Sequence, residues 1–253
     1  MTRTVSCLLA FALFGPASRA AAQNTGVHAW ANIDVASSRA SQGQQTFSLL
    51  QPKFDEIATR SVTYSQFQSA RVPLVAAGVL AFHGLGAGVR FDTATRNPNV
   101  ALQASVPHPF FFQRPGVGTL NPALNAKEQV VDLFALYAVP TPSRWSVRVF
   151  AGGSRVHVSD DVVADFTYSQ TAGLSGSNVV KIESYRTATL TTTAWGWHAG
   201  ADIAFFPLRN VGVGFGILDR RVDLPAETEP FVSKPFVLST DRVVASVGLR
   251  LRL

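Results

Sequence analysis

Hydrophobic and polar positions alternate with period two along most of this chain, and the alternation is clearest at its end. From Val243 onward, Val243, Ala245, Val247, Leu249, Leu251 and Leu253 fall on one side, with Val244, Ser246, Gly248, Arg250 and Arg252 on the other. Successive side chains of a strand point to opposite faces, so Ser239–Leu253 reads as a strand with one oily face and one small or charged face. The same pattern predicts strands near Val27–Ser37, Leu74–Phe82, Leu85–Phe91, Val130–Val139, Trp145–Val158, Trp195–Phe206 and Val211–Leu218. That makes eight in all.

The connections fall into two kinds. His83-Gly84, Pro140–Arg144 and Pro207–Asn210 are short and built from turn formers. Residues 38–70, 93–127, 159–192 and 221–238 are long and rich in Ser, Thr, Asn, Gln and Pro, and would be odd inside a compact soluble domain. Three short turns alternating with four long loops match barrels with short periplasmic turns and long extracellular loops. Ala58–Phe67 and Val163–Tyr168 still alternate, so parts of these loops are expected to extend hairpins beyond the membrane.

The bulky residues take a single face. Trp195, Trp197, Ala199, Ala201, Ile203 and Phe205 oppose Gly196, His198, Gly200, Asp202 and Ala204, and Val211, Val213, Phe215 and Ile217 oppose three glycines. Glycine suits the inner wall of a narrow eight-stranded barrel, which has little room for side chains. The most apolar run of the mature chain, Val72–Phe82, is 11 residues long; a spanning helix needs about 20, a tilted strand only about 9–11. Lipid admits only helices and closed barrels. The expectation is an all-β, eight-stranded antiparallel transmembrane β-barrel, oily face outward, with Trp145, Trp195 and Trp197 as interfacial aromatics.

The first residues read as an export leader: Arg3, an apolar core Val5–Phe14, and Ala20-Ala21-Ala22 before an expected cleavage that leaves Gln23 first. The domains are then a signal peptide, 1–22, and an outer-membrane barrel, 23–253. The only cysteine, Cys7, leaves with the leader, so no disulfide or thiol chemistry is expected. Losing Arg3 and Arg19 lowers the formal charge from +6 to +4. No basic block exists, and no nucleic-acid partner is expected.

Ser105–Phe112, Phe150–Gly153, Gly200–Gly214 and Val247–Arg252 resemble the OmpA/OmpX-like outer membrane protein beta-barrel domain family, over residues 24–253. The resemblance implies residence in the bacterial outer membrane and contact with its lipid and lipopolysaccharide. It also implies the barrel-assembly machinery as a partner during biogenesis, and usually no assigned activity. Such chains usually end in an aromatic residue; this one ends in Leu253.

Candidate chemistry is sparse. Gly84, Gly86 and Gly88, like Gly212, Gly214 and Gly216, lie in register with strands with no helix after them, so no nucleotide loop is predicted. Asp34, Arg90, Asp132, Arg148, His198, Asp202 and Arg250 fall on the small, inward face of different strands and are expected to pair across the lumen, since unpaired buried charge is costly. His198 and Asp202 are about 13 Å apart along one strand, too far for a relay. His157–Asp161 and Asp55-Glu56 lack the ligand count of a calcium loop. Phe110, Phe111 and Phe112 form an aromatic cluster in a long outward loop, placed either for contact with lipopolysaccharide, a partner or an apolar ligand or for packing beneath the other loops. No cofactor, no metal and no enzyme activity are expected. The function expected is a structural or surface-interaction barrel with a plugged or narrow polar lumen, not an open porin. Transport or binding of small apolar molecules is the alternative, and a lipid-modifying enzyme the lesser one.

Overall fold

A computed structural model describes residues 28–40, 44–65, 70–141, 144–225, 227–231, 234–236 and 242–253; the leader expected at residues 1–22 lies outside them. The strands are β1 (His28–Ala40), β2 (Gln44–Lys53), β3 (Glu56–Ser65), β4 (Ala70–Leu80), β5 (Leu85–Arg96), β6 (Asn99–Val106), β7 (Gly116–Leu120), β8 (Ala126–Val139), β9 (Trp145–Ala172), β10 (Asn178–Phe205), β11 (Val211–Val222), β12 (Glu227–Glu229), β13 (Lys234–Phe236) and β14 (Arg242–Arg252). Eight of them close into an antiparallel barrel in the order β1-β14-β11-β10-β9-β8-β5-β4. The seam that closes it pairs Asp34 of β1 with Gly248 of β14 on one side and with Leu74 of β4 on the other.

One end of the barrel carries short turns. The first runs through a 3₁₀ turn at Phe82–Gly84, where His83 and Gly84 both adopt positive φ. A Cβ at Gly84 would meet Ala138 O at 2.7 Å, so glycine is required there by space as well as by φ. Glycines on the inner wall seat the bulky side chains of the lumen. A Cβ on Gly78 or Gly88 would come within 2.8–2.9 Å of the Trp30 ring, and one on Gly214 within 2.7 Å of Arg250 Nε.

The other end differs from the expected loops. Much of 38–70, 93–127 and 159–192 is strand: β2 and β3 form one hairpin, β6 and β7 another, and all four join in a sheet ordered β2-β3-β6-β7. β9 and β10 do not stop at the barrel. Each runs 28 residues, about 90 Å at about 3.3 Å per residue, and their outer halves pack against the four-stranded sheet. Val62, Leu102, Val106, Val162, Val163, Phe166, Val180 and Ile182 make the core of this outer sandwich. Two register shifts, between Ile182 and Ser184 and between Arg186 and Thr187, leave Glu183 and Ala164 without cross-strand partners. Such bulges re-phase a strand, and Val162 and Val163 are both buried beside the second one.

The polarity of the two long strands inverts partway along. In β9, outward Val147, Val149 and Ala151 give way to Arg155, His157, Ser159 and Asp161, while inward Arg148 and Ser154 give way to Val156, Val158 and Val162. In β10, outward Ile203, Trp197 and Trp195 give way to Thr193, Thr191, Thr189 and Thr187. The inversion falls at the directly paired Arg155 and Trp195. Below this level the wall is oily outside; above it the wall is polar outside.

Candidate functional site

The lumen is where chemistry-bearing side chains converge. All seven expected luminal residues are buried inside the barrel, with Asp132 at 0% exposure. They do not form one network alone. They belong to two of three tiers, each tier holding two arginines and two acids.

Nearest the short turns, Asp202 accepts from two guanidinium groups, Arg148 at 2.8 Å and Arg250 at 2.6 Å. Arg250 also donates to Asp34, and Arg148 to Asn32 Oδ1 at 3.3 Å. In the middle tier Arg220 bridges Asp92 at 2.7 Å and Asp132 at 2.8 Å. Arg90 approaches Asp132 at 3.8 Å, and its guanidinium lies over the rings of Phe150 and Phe134, 4.6 and 5.3 Å from their centroids. At the outer mouth Glu128 takes Arg242 at 2.5 Å and Arg96 at 3.5 Å, with Asp160 buried beside them.

Equal numbers of each sign in every tier offset part of the cost of burying charge, which is largest for an unpaired ion, although Arg90 Nη1, Arg220 Nε and Arg242 Nε make no hydrogen bond among the described residues. Trp30, Leu136, Phe134 and Phe150 fill the space between the ion pairs. Among the described residues, small voids lie between these side chains, three of them of about 10 Å³ each, the room of roughly one water.

Sequence reasoning missed Asp92, Arg96, Glu128, Asp160, Arg220 and Arg242 as members. The signal was present in the strand phase: Arg242 is in step with Arg250, and Glu128 with Asp132. Arg220 lies two residues beyond the strand end expected at Leu218.

A second omission concerns His198. Asp202 does not reach it, but Ser154 Oγ lies 2.9 Å from His198 Nδ1, and Asp132 Oδ1 lies 3.7 Å from the same nitrogen. A nucleophile–base–acid relay needs the hydroxyl and the acid on opposite ring nitrogens. Here both converge on one, while Nε2 makes no hydrogen bond and the ring packs on Phe134 and Phe150. The trio is a packed polar contact. His157 bonds Thr193 Oγ1 at 2.8 Å on the outer wall, and no group of three metal-ligating side chains occurs among the described residues.

The remaining candidates lie at the far tip of the sandwich and on the outer wall. Phe110 and Phe112 are 62% and 70% exposed at the β6–β7 turn, while Phe111 packs against His108 at 4.8 Å. Three turns are bound together there: His108 Nε2 lies 3.1 Å from Ser177 O, Asn178 Nδ2 donates to Val106 O at 2.9 Å, and Gln113 N donates to Glu56 Oε1 at 3.0 Å. Below the tip, Arg60 bonds Asp165 at 2.5 Å and caps the Phe166 and Phe231 rings. That hydrogen bond, with the positive charge of Arg60, holds the Asp165 carboxyl below the usual carboxylate range. Trp145, Trp195 and Trp197 are all exposed on the outer wall, the first beside the short turns and the other two at the inversion.

An oily wall closed around neutral tiers of charge is the construction of an outer-membrane type of barrel. Comparison with solved structures agrees. The outer membrane protein OprG from Pseudomonas aeruginosa is similar over 90% of this chain and 97% of its own, at 9% identity and a TM-score of 0.50. Neisserial surface protein A aligns over 89% and 96% at 13% identity, with a TM-score of 0.40. The attachment invasion locus protein Ail of Yersinia pestis aligns over 90% and 97% at 9% identity, with a TM-score of 0.39. No protein-family model matches the chain, and no curated protein matches it by sequence. The likeness is one of fold.

Proposed function

We propose that this chain is an exported protein of the bacterial outer membrane, whose barrel is an anchor without a conduit and whose outer sandwich is the working surface. The ion-paired lumen carries this proposal: three tiers of arginine and acid cross-link the wall from mouth to mouth, and the voids described between them are of about 10 Å³ each. An eight-stranded interior is just wide enough for side chains, and water-filled channels belong to barrels of about 16–18 strands. The ordered tip supports the second half, because exposed Phe110 and Phe112 stand on turns already tied together and lose little freedom on meeting a partner.

Planar-bilayer recording tests the anchor. The wild type is expected to be silent, and Asp202→Ala, which strips Arg148 and Arg250 of their shared partner, to open brief conductance. Steady nanosiemens conductance from the wild type would overturn it. Cysteine labelling tests the orientation, since Cys7 is the only native cysteine. A membrane-impermeant maleimide on intact cells should label Phe112→Cys and spare Arg209→Cys; the opposite pattern refutes the arrangement.

A further inference from the structure

We propose that the far tip of the sandwich docks onto a second lipid bilayer, a zwitterionic phospholipid surface facing the membrane that holds the barrel. The proposal rests on the outer-membrane reading above and names the partner of its working surface.

The outward face of the sandwich changes character a second time toward its tip. On the barrel side, the residues out of phase with the core are Thr46, Ser48, Ser61 and Thr63 on β2 and β3, Gln103 on β6 and Thr119 on β7. Nearer the tip the same phase of β2 and β3 carries Leu50 and Ile57. The turns themselves add Phe54 between β2 and β3, Phe110 and Phe112 between β6 and β7, and Leu174 between β9 and β10. All six are exposed, Leu174 by 80%. Bulky apolar groups gathered at one end of a polar shaft mark an interaction surface.

The polar groups beneath these side chains favour lipid. Exposed turns ordinarily leave much of their backbone to water, whereas a surface entering hydrocarbon must satisfy it internally. In the β9–β10 turn, Gly173 N donates to Ser177 O at 2.9 Å and Gly176 N to Gly173 O at 3.0 Å. In the β6–β7 turn, Phe110 N donates to His108 Nδ1 at 3.1 Å, and Gln113 N is held by Glu56. Two carbonyls there are taken up as well, Pro107 O by Gln170 Nε2 at 2.7 Å and Arg114 O by Asn178 Nδ2 at 3.2 Å. The charged side chains in and beside these turns are Lys53, Asp55, Glu56 and Arg114, two of each sign. Lys53 donates to Gln170 at 2.9 Å, and the Arg114 guanidinium lies 5.6 Å from the Phe111 ring. Balanced charge gives no pull toward anionic lipid. Exposed Asp55 limits entry to the boundary of headgroups and acyl chains, about 5–10 Å deep.

Reach decides which bilayer. From Arg155, at the inversion, to Ala172 at its end, β9 adds about 55 Å of strand. The apolar tip therefore stands well clear of the membrane around the barrel, and meets a surface that approaches end-on.

The test uses the full-length mature protein in phosphatidylcholine nanodiscs, mixed with separate sucrose-loaded phosphatidylcholine vesicles, with or without phosphatidylglycerol. Co-sedimentation of nanodiscs with vesicles measures docking. An environment-sensitive fluorophore on Leu174→Cys, unique because the mature chain lacks cysteine, reports entry through quenching by spin-labelled lipid placed only in the vesicles. Wild type is expected to dock about tenfold or more better than Phe110→Ser/Phe112→Ser, which loses two aromatic side chains from the contact. Leu208→Ser, an exposed apolar position at the opposite end, should dock as wild type does. Phosphatidylglycerol should make no difference. Equal docking by wild type and the double variant, or an unquenched fluorophore, overturns the site. Docking that requires phosphatidylglycerol overturns the zwitterionic assignment. A wild type indifferent to lipid vesicles, yet captured by cell membranes until trypsin strips their proteins, would assign the tip to a protein partner instead. A heat-modifiable band for every variant confirms folding. Failure of the wild type to enter nanodiscs would strike at the outer-membrane proposal itself.

Discussion

Inside the barrel the side chains that meet are Asp34, Asp92, Asp202, Arg148, Arg220 and Arg250, whereas inside the outer sandwich they are Val62, Leu102, Val106, Val163 and Phe166. The outer surfaces are reversed to match. Val213, Phe215 and Val247 are exposed on the barrel, and Thr187, Thr189, Thr191 and Thr193 on the extension. β9 and β10 belong to both regions, and their pairing is unbroken across the level where the polarity inverts. Alternation alone says that a segment is a strand and which residues share a face. The sign of the outward face says which medium surrounds it, and in these strands that sign changes at Arg155 and Trp195. Burial of apolar area stabilises the sandwich against water; in the barrel the apolar wall faces outward and polar pairing fills the middle.

The comparison breaks first, and hardest, at the sandwich core. Phe166 is 1% exposed and stacks on Phe231 at 5.5 Å. Phe166→Ala should cost the outer module about 3–5 kcal/mol. Limited proteolysis should then cut within β2, β3, β6 or β7 while the barrel keeps its heat-modifiable gel shift. Loss of both together would show a single cooperative unit, contrary to the division into two interiors.

A smaller effect separates the two outer surfaces. Val247 lies midway along β14, faces outward and is 60% exposed. Val247→Arg should cost about 2–4 kcal/mol near the middle of a bilayer. Thr191→Arg, on the same kind of outward position but above the inversion, should fall within about 0.5 kcal/mol of wild type. Urea unfolding in lipid vesicles measures both. Equal costs would mean that the inversion does not mark a change of medium.

The barrel was legible in the sequence because its outward face is oily. Eight strands, the three short turns and the inward phase of Arg90, Arg148, Asp202 and Arg250 all follow from one unbroken alternation. The sandwich was not, for reasons visible in particular residues. Thr187–Thr193 alternate as regularly as Trp195–Phe205, but with hydroxyls outward and Ala188, Leu190 and Ala194 inward, which composition alone makes look like loop. The β2–β3 turn is built by Phe54 and Asp55, both at positive φ, where the readable signal is Asn-Gly or Asp-Gly. The lumen was half legible: strand phase gives which residues point inward, but not that Arg220 would thread between Asp92 and Asp132, strands away in the closed barrel.

The smallest effect lies at the junction of the two regions. Asp160 is in β9, five residues beyond Arg155 and outside the segment with the oily wall, yet it is buried at the barrel mouth. Burial pushes its carboxyl up to about 6, against the opposing pull of the Arg96 guanidinium. An acid raised in the folded state binds its proton more tightly there than in the unfolded chain. Its contribution is therefore fully present below about 3.8, the unfolded value, and is lost as pH rises through about 6. Going from about pH 8 to about pH 5, wild type should gain about 1 kcal/mol from this group. Asp160→Asn carries no charge at any pH, so the difference in stability between the two proteins should shift by that amount over the same range. Unfolding in urea at a series of pH values gives the difference, with the titrating groups that do not feel the Asp160 charge cancelling. A difference that stays flat would mean that the mouth of the barrel is wet, and that the apolar core of the sandwich does not seal it.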